Sequence, residues 1–123
     1  MKTLFAVTAL VELGAGLALL AAPSLSSWLL LGRPIENAEG LVIARVLGAA
    51  LLALGVACVR GTPGLVPALL VYNLVAVIVL AHAGFWFGIG GVALWPAVAL
   101  HLGLAVGCVM TRRFGKVDRE SAS

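Results

Sequence analysis

Residues 3–22 read TLFAVTALVELGAGLALLAA, a run of twenty residues that carries a single charged side chain, Glu12. A hydrocarbon layer about 30 Å thick needs about 20 predominantly apolar residues to cross it as a helix. The run meets that length, and stretches 40–60, 65–87 and 92–111 meet it again. The whole chain agrees with these windows. It has 123 residues, 63% hydrophobic and 11% charged. A soluble domain carries about 25% charged residues because water must wet its surface. This composition excludes a soluble enzyme, a disordered chain and a nucleic-acid module, despite a net charge of +3. Barrel strands would alternate in segments of about ten residues, and that alternation is missing. The expected fold is all-α: a polytopic membrane four-helix bundle over residues 1–111, followed by a polar, partly disordered cytoplasmic tail, 112–123.

The breaks between the spans carry turn chemistry. Gly61-Thr62-Pro63-Gly64 separates the second from the third, and Gly88-Ile89-Gly90-Gly91 the third from the fourth. Connections this short predict antiparallel neighbours. The first break is longer, and residues 23–31 (PSLSSWLLL) predict a short helix with Pro23 in its first turn and Gly32 at its end. Too short to cross, it is expected in the headgroup region with Trp28 as an anchor. Asn37 is the expected N-cap of the second span. Lys2, Arg60, Arg112, Arg113, Lys116 and Arg119 lie on one side of this topology, against Arg33 and Arg45 on the other. The positive-inside rule then places both termini in the cytoplasm. The first span resembles a signal peptide in outline, but Glu12 in its centre and Pro23 after Ala21-Ala22 predict a retained helix.

Polar groups inside a span are costly and mark a functional site or a structural pair. Counted from the cytoplasmic ends at about 1.5 Å per residue, Glu12, Asn73 and His101 all fall roughly 14–15 Å deep. Tyr72 sits beside Asn73, and Arg45 lies farther out, its long stem able to reach down to Glu12 or to snorkel to the outer surface. Two arrangements follow. Either Glu12 and Arg45 form an ion pair that locks two helices, with Asn73 and His101 bonded across the bundle. Or Glu12, Arg45, Tyr72, Asn73 and His101 form a midplane site that binds a small polar molecule or moves a proton.

The remaining features carry less. His82 and His101 invite a haem between them, but their expected depths differ by roughly 12 Å. No metal site is expected, since a dense cluster of ligands is missing. Cys58 and Cys108 are read as small packing residues. Gly84-x-x-x-Gly88 and Gly103-x-x-x-Gly107 have the spacing of close helix contacts, and Gly103 and Gly107 are the candidate face of a homodimer.

Val11-Glu12-Leu13-Gly14, Ala22-Pro23-Ser24, Ala44-Arg45-Val46-Leu47-Gly48, Tyr72-Asn73 and Trp95-Pro96-Ala97 with His101 follow one another in this order. That succession resembles small four-helix bacterial membrane proteins of the DoxX-like group. The resemblance implies the architecture and a bacterial inner-membrane setting, and it assigns no activity. The expected function is that of a non-enzymatic accessory or scaffold component in the bilayer, with a membrane protein or a second copy as partner and no nucleic acid. A binding or proton-coupled transport protein with its site at Glu12, Asn73 and His101 is the alternative. A haem or redox subunit is the third reading.

Overall fold

The computed structural model describes residues 1–62 and 64–120, with the side chains of 113–120 outside that description. Five helices and no strand occur among the described residues: α1 (Lys2–Ala21), α2 (Pro23–Leu31), α3 (Ala38–Arg60), α4 (Leu65–Trp86) and α5 (Leu94–Glu120). All but α2 are long and apolar enough to cross a membrane. The expected tail is helical through Glu120, as a continuation of α5; residues 121–123 lie outside the described residues.

Local chemistry sets the boundaries. Pro23 opens α2, and Gly32 closes it in the left-handed region at φ 75°, its N–H bonded to the Trp28 carbonyl. Asn37 caps α3, its Oδ1 accepting from the Gly40 N–H at 2.9 Å. Gly61 ends α3 at φ 62°, a conformation that costs glycine nothing because it lacks a Cβ.

The long helices form two tight antiparallel pairs, α1 with α3 and α4 with α5. Glycine explains the first. A Cβ on Gly16 would sit 2.7 Å from the Gly48 carbonyl oxygen, and one on Gly55 would sit 2.7 Å from the Leu13 side chain. Only a bare backbone lets the helices come this close. The short α3–α4 connection does not make its flanking helices a close pair, contrary to the expectation from loop length. Gly88 departs from its expected packing role as well: it lies beyond the end of α4 at φ 60° and turns the chain.

The two pairs meet at one end of the bundle. Ala9, Cys58, Leu69 and Cys108, one from each long helix, form a buried cluster near the ends that hold the start of α1 and the α3–α4 turn. At the opposite end α2 is the tie. Its Leu30 and Leu29 carbonyls accept from the N–H groups of Gly91 and Ala93, at 3.0 and 2.9 Å. Ser24 donates to the Ile35 carbonyl and Ser27 accepts from the Ile35 N–H, folding the chain back over α2. The serines of α2 therefore face protein, while Leu25, Trp28 and Leu29 are exposed.

Burial runs opposite to that of a soluble bundle. Thr8, Glu12, Ser27 and Asn73 are buried, whereas Leu10, Val42, Ile43, Val46, Val59, Val71 and Ile78 are exposed. An outer surface of branched aliphatic side chains is disfavoured in water and matched to lipid tails. The protein is a membrane protein with four candidate spans.

Candidate functional site

Glu12 sits in the middle of α1 and is 1% exposed. Its Oε2 accepts a hydrogen bond from the Tyr72 hydroxyl at 3.1 Å. That contact joins α1 to α4 and so links the two helix pairs through a polar bridge. The His101 ring lies edge-on to Tyr72, with ring centres 5.5 Å apart. His101 Nδ1 is 2.8 Å from Asn73 Oδ1, and Asn73 Nδ2 donates to the Leu69 carbonyl at 2.8 Å. Glu12, Tyr72, His101 and Asn73 thus form one continuous chain of contacts across α1, α4 and α5.

The Asn73 bonds settle the histidine tautomer. The Leu69 carbonyl only accepts, so the amide nitrogen must face it and Oδ1 must face His101. Nδ1 then carries the proton and donates to Oδ1. In the neutral ring Nε2 is left as an acceptor, and it makes no hydrogen bond among the described residues.

Immediately beside this chain the helix pairs part. A cavity of about 670 Å³ lies between them, lined by residues of all five helices. Glu12, Tyr72 and His101 are its polar wall; every other lining side chain, from Leu19 and Leu51 to Val75 and Leu80, is apolar. Leu30 of α2 lies along it, while the cluster of Ala9, Cys58, Leu69 and Cys108 packs the end of the bundle on the other side of Glu12. The space closes at the packed cluster and opens to the side, where Leu47, Val71, Val75 and Val79 are exposed. Its volume falls within the range of small-molecule sites, about 300–1,000 Å³.

One atom of this wall stands apart. Glu12 Oε1 is buried without a hydrogen-bond partner. Among the described residues no other buried side-chain nitrogen or oxygen is left so. A buried polar atom without a partner costs about 1–3 kcal/mol and calls for a reason.

Four of the five residues singled out in the sequence meet here, although Asn73 stands behind His101 and does not line the cavity. Arg45 does not join them. It is exposed on the outside of α3, and no ion pair reaches Glu12 among the described residues. The helix turn that carries Ala44 and Gly48 inward carries Arg45 outward. Tyr72 proves central: its length and ring orientation bring the hydroxyl to Glu12, which counting along a helix does not reveal. The structure does not bring His82 and His101 together. His82 is exposed, stacked on Trp86 at 6.0 Å and edge-on to Phe87 at 5.1 Å. Gly103 faces open space and Gly107 lies against Leu4.

Fold and site together define a four-span helical membrane protein with a polar chain beside an apolar intramembrane cavity. Comparison with models of protein families, with curated proteins and with solved structures finds no match.

Proposed function

We propose that this protein is a non-enzymatic binding component of the bilayer. It holds a small, largely apolar molecule in the cavity between its helix pairs, with Glu12, Tyr72 and His101 contacting the ligand's polar group. The observation that carries this reading is the unpartnered Oε1 of Glu12 beside a cavity of about 670 Å³. An interhelical lock alone would satisfy its own polar atoms and fill its own space. The accessory role suggested by composition takes this concrete form. In keeping with the resemblance to the DoxX-like group, the setting is a bacterial inner membrane. Both termini lie in the cytoplasm by the excess of Lys and Arg at that end. Helix α2 lies at the outer headgroup level with its exposed Trp28.

Organic extracts of the full chain, purified in mild detergent, test this by mass spectrometry against Glu12→Gln and the cavity-filling Ala76→Phe. The expected result is a compound present in near-equal amount with the wild-type protein and depleted about tenfold or more in both variants. An extract without such a compound, or one unchanged in the variants, overturns the reading.

A further inference from the structure

The open valences around the cavity specify the ligand's chemistry, given the binding reading above. The Tyr72 proton is committed to Glu12 Oε2, which leaves the phenol oxygen with acceptor capacity only. The His101 Nδ1 proton is committed to Asn73, which leaves Nε2 an acceptor. Glu12 Oε1 has no hydrogen-bond partner among the described residues, and with Oε2 accepting from Tyr72 it is the oxygen that holds or releases the carboxyl proton. Tyr72 and His101 therefore offer lone pairs to the cavity, and Glu12 adds its own once its proton has moved to the ligand. Among the described residues no lysine or arginine lines the cavity, and Arg45 is exposed on the outside of α3. A carboxyl group in such surroundings keeps its proton unless a cation joins it, and the described side chains supply none; a basic amine that enters the cavity takes the proton from Oε1 and becomes that cation.

We infer that the ligand is a lipophilic ammonium ion bearing at least one N–H, which donates to Glu12 and supplies its missing positive charge. Tyr72 and His101 Nε2 stand beside the carboxylate as further acceptors, and the apolar remainder of the cavity takes the ligand's hydrocarbon body. An anion or a purely hydrogen-bond-accepting molecule is mismatched at Tyr72 and at His101 Nε2. A quaternary ammonium ion brings the charge but no N–H, so it fulfils half of the requirement. The preference for an N–H cation over both its quaternary and its uncharged counterparts is the signature of this site.

Three probes of nearly equal shape separate these terms: protonated N,N-dimethylphenethylamine, its trimethylammonium analogue, and the hydrocarbon isostere isopentylbenzene. Binding to the full chain in nanodiscs is measured by calorimetry at neutral pH, with empty nanodiscs subtracted. The tertiary ammonium is expected to bind about tenfold or more tighter than either of the others, the worth of a charge-assisted hydrogen bond. In Glu12→Gln that preference is expected to vanish while isopentylbenzene binding persists. Ala76→Phe is expected to weaken all three. If isopentylbenzene binds wild type as tightly as the amine does, and Ala76→Phe abolishes both, the cavity reading stands and the cation assignment falls. If none of the three binds, both fall. The comparison within wild type needs no variant, so it holds even if Glu12→Gln folds poorly.

Discussion

The Tyr72–Glu12 contact is worth more as a pair than either residue is alone. Glu12 is 1% exposed and Tyr72 supplies its one hydrogen bond. Tyr72→Phe removes the donor and leaves the second carboxylate oxygen unpartnered too, at an expected cost of about 1–3 kcal/mol. In a Glu12→Leu background the same substitution has no acceptor to orphan, and its cost falls below about 0.5 kcal/mol. Unfolding in mixed detergent micelles measures both; an equal cost in the two backgrounds refutes the bridge. Sequence reading reached Glu12, Asn73 and His101 because depth along a helix can be counted. It paired Glu12 with Arg45 because opposite charges attract, and the direction in which a side chain leaves its helix does not appear in a depth estimate. The phenol beside Asn73 carried the signal that was needed: a donor one residue from the counted plane, long enough to reach a carboxylate on the neighbouring helix.

Among the elements, those with strong local signals emerged where expected. The expected spans 3–22, 40–60, 65–87 and 92–111 fall on Lys2–Ala21, Ala38–Arg60, Leu65–Trp86 and the first part of Leu94–Glu120, and 23–31 coincides with Pro23–Leu31. Proline, asparagine and glycine at the ends mark those boundaries through backbone chemistry alone. Which helices pair did not follow from the same signals, because a helix apolar on every side declares no inner face. The small residues declare it instead. Gly16 and Gly48 meet backbone to backbone across α1 and α3, whereas Gly14 and Gly103 have nothing within 4 Å of an added Cβ. Gly48→Ala is expected to destabilise the protein by about 1–3 kcal/mol through forced separation of the pair. Gly14→Ala is expected to be neutral or to stabilise by up to about 1 kcal/mol through helix propensity. Thermal unfolding of the two variants side by side decides it; matching losses refute the packing account.

The cavity and the charge distribution together give the whole molecule a direction. The packed end, where Ala9, Cys58, Leu69 and Cys108 converge, is the end toward which Lys2 and Arg60 lie. The cavity extends the other way, toward Leu30 in α2. Under the proposed topology the sealed half faces the cytoplasm and the ligand space lies in the outer half of the bilayer. A ligand held there reaches Glu12 from the outer leaflet without passing the packed cluster. Introduced thiols test that direction. Cys58 and Cys108 are 2% and 0% exposed, so both are expected to stay silent to a membrane-impermeant maleimide. Glu36→Cys, at an exposed position in the chain between α2 and α3, is expected to label fully in intact spheroplasts. Ser121→Cys, beyond α5, is expected to label only after the membrane is opened. The reverse pattern would turn the molecule over and put the cavity in the cytoplasmic leaflet, and equal labelling of both positions would mean a mixture of orientations. Only the expected pattern is consistent with an excess of lysine and arginine fixing a single orientation, because the barrier to moving those cations through hydrocarbon acts on every copy of the chain alike.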